Sequence, residues 1–259
     1  MISPPHLVDN EHGMNGDDEK TAALITALDH PQKPKIRAAV DALIASAAHE
    51  SRLRTTLEQS LSNAHHRNPW AFAYVLGHLP QPSGATVRAL LKGLDHGEPD
   101  IRWAIALLLT RLARTESSVG NLLVELSRGG TANQKRMALY CIRDLQLADE
   151  ASLRALLDGS KDTEATVRVA AVISLKNRSD ASASARNRLL ELFLNDEDVR
   201  VRNAAAITLA QLGSPSEAFV AALRAAEKSD SAPLKKAVSA ALSLLESKRP
   251  ASSDGSRSR

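Results

Sequence analysis

The stretch VRVRNAAAITLAQLG, from Val199 to Gly213, has the pattern of a buried helix that ends in a glycine. Val201, Ala205 and Leu209 follow one another at intervals of four residues, which places them on one helical face. Gly213 is the kind of residue that commonly ends a helix, because it adopts the left-handed backbone conformation without a steric penalty. The fold is indicated by further copies of this stretch elsewhere in the chain.

Positions equivalent to Val201 recur at steps of 32 to 34 residues. We call these positions anchors, and they are Ile36, Asn68, Ile101, Gln134, Val167, Val201 and Leu234. Eight residues after every anchor stands a leucine or an isoleucine. A second series with the same period consists of leucines only: Leu24, Leu57, Leu90, Leu123, Leu156, Leu190 and Leu223. The sequence therefore predicts a unit of helix A, a short turn and helix B, used seven times.

Such a unit cannot bury its apolar face by itself, so its copies must stack. The predicted fold is all-α, a right-handed α-α superhelix of about seven helix pairs over residues 21–247. Residues 1–20 are predicted to be a disordered acidic tail and residues 248–259 a second disordered tail. In the last two units, helix A is predicted over about 183–195 and 216–229, with Ser214 as the N-cap of the latter.

Composition narrows the class of protein. Apolar residues make up 43% of the 259 residues and aromatic residues 3%, which favours helices rich in alanine and leucine over sheet. The net charge is +3, and residues 131–259 hold the positive excess, with 20 Lys/Arg against 16 Asp/Glu. A single cysteine, Cys141, excludes an intrachain disulfide. No signal peptide or membrane-spanning segment is indicated, so a cytoplasmic location is expected.

The helix B pattern resembles the HEAT repeat, with Val201-Arg202-Asn203-Ala204-Ala205 followed by Leu209, Leu212 and Gly213. The likeness covers about residues 21–246, and the short unit is similar to bacterial repeats of the phycobilisome-lyase type. It is poorest where Asn68-Pro69 stands in place of the Val-Arg pair. The resemblance implies a helical solenoid and says little about function, because such folds carry many activities.

A basic residue follows six of the seven anchors. This basic column consists of Arg37, Arg102, Lys135, Arg168, Arg202 and Lys235. The HEAT resemblance implies that an aspartate in the A–B turn, such as Asp162, Asp196 or Asp230, pairs with this residue in its own or the adjacent repeat. The alternative is a basic stripe that binds a ligand. His96 and Gly129 stand where Asp196 stands in its repeat, so Arg102 and Lys135 are candidates for unpaired positions.

Further side chains are candidates for a partner-binding surface on helix B. Arg136, Arg143 and Lys176, together with Lys236, would extend the basic column into a track from the fourth repeat onward. Trp70 and Trp103 lie two residues after their anchors, and Tyr74 lies six after its own. These aromatic residues would either anchor a partner or pack into the grooves between B helices.

The first functional hypothesis is a non-catalytic scaffold that binds a protein, acidic in character, through its concave B-helix surface. The predicted contacts are Trp70, Tyr74, Trp103, Arg102, Lys135, Arg136, Arg143, Arg168, Lys176, Arg202 and Lys235. Nucleic-acid binding through the basic track is less favoured by a net charge of +3. A bilin-lyase-like chromophore chaperone is a third hypothesis. No catalytic residue, metal site or cofactor is predicted, because the histidines all lie in residues 1–96 and Cys141 falls on the buried face.

Overall fold

The computed structural model describes residues 16–46, 51–63, 65–147, 149–177, 183–213 and 215–247. Within these ranges the chain forms fourteen α-helices and one 3-10 turn, with no strand. The helices form seven A–B pairs: α1 (Gly16–Ala27) and α2 (Lys33–Ser46), α3 (Ser51–Leu61) and α4 (Pro69–His78), α5 (Gly84–Gly93) and α6 (Pro99–Thr115), α7 (Ser117–Gly129) and α8 (Ala132–Leu145), α9 (Glu150–Gly159) and α10 (Ala165–Ser174), α11 (Ala183–Asn195) and α12 (Val199–Leu212), α13 (Glu217–Ala226) and α14 (Ala232–Ser247). The predicted all-α class of seven helix pairs is confirmed.

The chain divides into two compact units, Met1–Leu90 and Leu91–Arg259, with the boundary inside α5. In the first unit, α2 packs against α4, and each of these helices packs against its own helix A. In the second unit the B helices pack in chain order, α6 against α8, then α10, α12 and α14. The B helices of the second unit therefore form one continuous layer.

Local sequence explains several helix ends. Thr131 and Gln134 form a reciprocal capping box at the start of α8, in which each side chain accepts a hydrogen bond from the other residue's backbone N–H. Helix α13 begins one residue after Ser216, whose Oγ accepts a hydrogen bond from the N–H of Phe219. The prediction of Ser214 as this N-cap is therefore wrong. Gly213 ends α12 with a φ of 70°, as its position after the last apolar residue predicted.

The core consists of the predicted columns. The side chains four residues after the anchors are all buried, and they are Val40, Phe72, Ile105, Ala138, Ala171, Ala205 and Val238. In the second unit this column is mostly alanine, which allows adjacent B helices to approach closely. The seven leucines of the second predicted series, which lie on the A helices, are also buried, except that Leu24 and Leu190 are partly exposed. Stacking thus buries the face that a single helix pair would leave in water.

A hydrogen-bonding column runs through this core and has no counterpart in the sequence prediction. Seven residues after their anchors, three side chains reach a backbone carbonyl of the preceding B helix: Cys141 Sγ to Ala106 (3.5 Å), Ser174 Oγ to Leu139 (3.1 Å) and Thr208 Oγ1 to Val172 (3.3 Å). Each accepting carbonyl lies five residues after its own anchor. These buried polar groups therefore find partners at equivalent positions in successive repeats.

The predicted tails fall largely outside the described residues, which begin at residue 16 and end at residue 247. Helix α1 begins at Gly16, so its first turn occupies the end of the stretch predicted as an N-terminal tail. Among the helices of the described ranges, none combines the length and apolarity needed to span a membrane.

Candidate protein-binding surface

Arg168 shows how a residue of the basic column binds the A–B turns of the second unit. Arg168 lies on α10 and is 7% exposed. Nε and Nη2 donate to the two carboxylate oxygens of Asp196, at 2.9 Å each. Nη1 donates to the backbone carbonyls of Asp162 and Thr163, at 3.0 and 2.9 Å, in the turn before its own helix. One arginine therefore joins the turn of its own repeat to the turn of the next.

Lys135 repeats this arrangement one helix pair earlier. Its Nζ lies 2.9 Å from Asp162 Oδ2, which belongs to the turn of the following pair. Burial by itself would raise the pKa of the Asp162 carboxyl, but hydrogen bonds from the N–H of Glu164 and from Lys135 outweigh it and lower the pKa. Asp162 thus binds Lys135 through its carboxylate and Arg168 through its carbonyl. The expectation that Lys135 is left unpaired is wrong.

Arg202 and Arg102 bind the turns of their own repeats. Nη1 of Arg202 donates to the carbonyls of Asp196 and Glu197, at 2.6 and 3.4 Å. Nη1 of Arg102 donates to the carbonyls of His96 and Gly97, at 2.5 and 2.9 Å. Arg102 and Arg168 are each 7% exposed and bound to turns, and their role as contacts for a partner stays a prediction.

The other predicted basic contacts are more accessible. Lys235 on α14 is exposed, and Lys176 in the 3-10 turn that follows α10 is partly exposed. Arg136 is partly exposed and its Nη2 donates to Asn133 Oδ1, at 3.1 Å. These positions are spread over α8, the 3-10 turn after α10, and α14, and they stay predictions as contacts for a partner.

Trp70 and Tyr74 lie on α4, in the first unit. Both side chains are partly buried and pack against the core of that unit. The ring centroid of Tyr74 lies 4.7 Å from that of His78, one turn further along the helix. Packing in the groove of their own unit is therefore their observed environment, and a role in partner binding stays a prediction.

Trp103 on α6 has a different environment. It is 41% exposed, and its ring stacks on Tyr140 of α8 with centroids 5.2 Å apart and planes 17° apart. Leu107, one turn further along α6, is 64% exposed. We call Trp103, Leu107 and Tyr140 the aromatic platform. Large apolar side chains at this exposure are unusual in a chain whose other apolar residues are mostly buried.

Basic side chains border the aromatic platform. The guanidinium carbon of Arg143 lies 5.0 Å from the centre of the Tyr140 ring, in a cation–π contact, while its Nε donates to Asp144 Oδ1 at 2.7 Å. Beyond Leu107 lies a groove of about 410 Å³. We call it the basic groove, and its other lining residues are Thr110, Arg111, Arg114, Arg143, Asp144 and Gln146.

The ionisable groups around these features respond to burial and to one another. Burial raises the pKa of the Tyr140 hydroxyl, although the charges of Arg136 and Arg143 act in the opposite direction. Burial, together with the charge of Arg136, lowers the pKa of Arg102. Burial also raises the pKa of the Cys141 thiol to about 12, so this thiol stays protonated and unreactive near neutral pH.

Leu107, Arg111 and Arg114 are the surface residues that sequence reasoning missed. They follow Trp103 at intervals of four, four and three residues, so the four side chains share one exposed face of α6. A signal was present in the sequence, because the positions six after the anchors include Tyr74, Leu107 and Tyr140. The recurrence of a large residue in this column singles out Leu107 as a position next to the core, although the spacing does not fix its exposure.

Stacked helix pairs with an accessible layer of B helices define an α-helical repeat protein. Residues 152–243 match the family model of HEAT repeats. A comparison with curated proteins finds none that matches this sequence. The finer likeness to short bacterial repeats of the phycobilisome-lyase type stays a prediction.

Solved structures agree on the fold. The chain is similar to YibA of Escherichia coli, with 15% identity, coverage of 94% of this chain and 99% of that one, and a TM-score of 0.56. Lower TM-scores are found for a designed armadillo repeat protein in complex with the peptide (KR)4 (17% identity, 87% and 99% coverage, 0.45) and for human deoxyhypusine hydroxylase (15% identity, 89% and 97% coverage, 0.37). At 15% identity the likeness to YibA shows the helical-repeat fold alone.

Proposed function

We propose that this protein is a non-catalytic scaffold that binds a protein partner through the B-helix surface of α6 and α8. The observation that carries the proposal is the aromatic platform, where Trp103 and Leu107 are 41% and 64% exposed on one helical face. Exposed apolar patches with a polar rim commonly mark interaction surfaces. The arginines around the platform supply such a rim.

The geometry of the platform suits an anchor for a partner. Trp103 is held against Tyr140, and Arg143 lies over the same tyrosine ring. Side chains that are already ordered lose little conformational entropy on binding, so more of the contact energy remains as affinity. Tryptophan, tyrosine and arginine are also the residues most enriched among those that dominate binding energy.

The non-catalytic part of the proposal is supported by Cys141. This thiol is 1% exposed, its pKa is raised to about 12, and its Sγ donates to the carbonyl of Ala106. Its environment is that of a structural residue in the core, and not that of a nucleophile. The proposal includes the cytoplasmic location expected from the sequence.

Site-specific photo-crosslinking tests the proposal. A photoreactive amino acid is placed at Leu107 in the full-length chain in its native cells, and the crosslinked protein is identified by mass. The matched control position is Leu194 of α11, which is also a leucine and is 53% exposed. We expect an adduct from position 107 that is absent from position 194.

The identified protein is then purified, and its affinity is measured for the unaltered chain and for two full-length variants. Trp103→Ala/Leu107→Ala should bind at least tenfold more weakly than the unaltered chain, because two central anchors are lost. Leu194→Ala should bind as the unaltered chain does. Equal affinities for both variants would overturn the proposed surface, and circular dichroism establishes that each variant is folded.

A further inference from the structure

The basic groove lies next to the aromatic platform and shares Leu107 with it. We infer that the partner presents a short acidic segment, in which an apolar side chain sits on the platform and a carboxylate two or three residues away enters the basic groove. This inference rests on the proposed function and adds the chemical class of the partner and the spacing of its contacts.

The charges around the groove favour an anionic group. Three arginines line it, Arg111, Arg114 and Arg143, against one acid, Asp144. Both Arg111 and Arg114 are exposed. The hydrogen bond between Arg143 and Asp144 uses Nε, and a guanidinium has four further N–H donors on its two Nη atoms. Arginine binds carboxylates with two parallel hydrogen bonds, which gives both energy and orientation.

The spacing follows from the helix that carries both features. Leu107, Arg111 and Arg114 share one face of α6. At a rise of 1.5 Å per residue, Arg111 lies about 6 Å and Arg114 about 10 Å beyond Leu107 along the helix axis. An extended chain advances about 3.3 Å per residue, so these distances correspond to two and three residues of a bound segment. The pattern expected in the bound segment is therefore an apolar residue with Asp or Glu two or three residues away from it.

A protein segment fits this surface better than a nucleic acid does. Leu107 is the most exposed large apolar side chain among the described residues and lies between the aromatic stack and the arginines. An aliphatic side chain at this position suits an apolar side chain of a peptide. Single-stranded nucleic acid would instead require successive aromatic faces along a basic path.

Peptide selection tests the inference. A displayed library of random 12-residue peptides is selected on the full-length chain, with Trp103→Ala/Leu107→Ala as the counter-selection. We expect enrichment of peptides with Asp or Glu two or three positions from an apolar residue, at least tenfold over peptides with Lys or Arg at that position. The order of the two residues in the peptide is read from the enriched sequences.

Charge reversal supplies the second arm. On Arg114→Glu/Arg143→Glu the preference should invert towards Lys and Arg at the same spacing. The single variant Arg114→Glu changes an exposed position and should at least halve the preference for acidic peptides. It replaces the double variant in the test if the double variant is unstable. Arg224→Glu is the matched control, an exposed arginine in the last turn of α13, and should leave the preference unchanged.

The outcomes separate this inference from the proposed function. Peptides that enrich in a Trp103-dependent manner without an acidic preference would overturn the inference and leave the platform as a binding site. Absence of any enrichment over the counter-selected variant would overturn both. Trp103-dependent binding of a single-stranded 12-nucleotide RNA, with affinity that falls steeply with salt, would overturn the choice of a protein partner.

Discussion

The carboxylate of Asp196 accepts two hydrogen bonds from the guanidinium of Arg168, although the two residues belong to different helix pairs. The carbonyl of Asp196 accepts a further hydrogen bond from Arg202 of its own pair. Asp162 makes the equivalent contacts, because its carboxylate accepts a hydrogen bond from Lys135 of the preceding pair and its carbonyl accepts one from Arg168 of its own pair. In these turns one aspartate therefore fixes the spacing between two successive helix pairs.

Replacement of Asp196 by asparagine should destabilise the second unit. The side chains of Arg168 and Asp196 are 8% and 4% exposed, so the variant would remove the buried counter-charge of Arg168 and leave it only the exposed carboxylate of Glu197, at 3.3 Å. Loss of one partner from a buried pair costs about 3 kcal/mol or more. Asparagine can still accept the backbone hydrogen bond from Asp198 that Asp196 Oδ1 now accepts, so the helix start is retained. Urea denaturation followed by circular dichroism measures the change.

The control for this variant is Glu150→Gln. Glu150 pairs with Arg154 on the surface of α9, where the two side chains are 80% and 63% exposed. An exposed pair contributes little, because water already solvates both charges. If Asp196→Asn shifted the unfolding midpoint no more than Glu150→Gln does, the structural importance of the buried pair would be refuted.

The pair of Lys135 and Asp162 predicts a specific dependence of stability on pH. The folded-state pKa of Asp162 lies below its ordinary value of 3.8, so its contribution to stability is complete above about pH 4. The contribution is lost as the pH falls through the lower, folded-state pKa, because the unfolded chain binds the proton first. The difference in unfolding free energy between the unaltered chain and Asp162→Asn should therefore be constant from pH 7 to pH 5 and shrink below pH 4.

Urea titrations at pH 7, 5 and 3.5 check this dependence. Asp158→Asn is the comparison, since Asp158 is 57% exposed and its Oδ2 lies 3.8 Å from Nε of Arg128. That variant should differ little from the unaltered chain at every pH. A difference for Asp162→Asn that persists undiminished at pH 3.5 would contradict the assignment.

The glycine that ends α12 gives a prediction about the backbone. Gly213 has a φ of 70° and a ψ of −177°, a region that is almost restricted to glycine. A Cβ at Gly213 would meet no atom within 4 Å, so any cost of Gly213→Ala comes from the backbone conformation. We expect a loss of about 1–3 kcal/mol in the unfolding free energy. Gly129→Ala is the matched control, with equal space for a Cβ and no left-handed φ, and should leave stability equal or slightly higher.

The periodicity of the sequence was sufficient to predict the seven helix pairs, because each column repeats the same packing requirement. Which arginine each aspartate binds was harder to predict, because the HEAT resemblance allows a pair within one repeat or between adjacent repeats. The carboxylate of Asp196 binds Arg168 of the preceding pair, and only its backbone carbonyl binds Arg202 of its own pair. The exposure of Leu107 could not be predicted from spacing, because a position next to the core columns is covered or open according to the side chain on the neighbouring helix. Tyr140 covers one face of Trp103 and leaves Leu107 in solvent.

The stack of Trp103 on Tyr140 predicts an energetic coupling between the two rings. Offset or stacked aromatic pairs contribute about 0.5–1.5 kcal/mol beyond the area they bury. A double-mutant cycle with Trp103→Ala, Tyr140→Ala and the double variant should return a coupling free energy in this range.

Trp70 is the other tryptophan of the chain, so Trp70→Phe makes Trp103 the only tryptophan fluorophore. In that background Tyr140→Ala should shift the emission of Trp103 to longer wavelength and increase its quenching by acrylamide, because the ring loses its covered face. A coupling near zero together with unchanged quenching would show that the rings do not hold each other, and the ordered anchor in the proposed binding surface would then lose its physical basis.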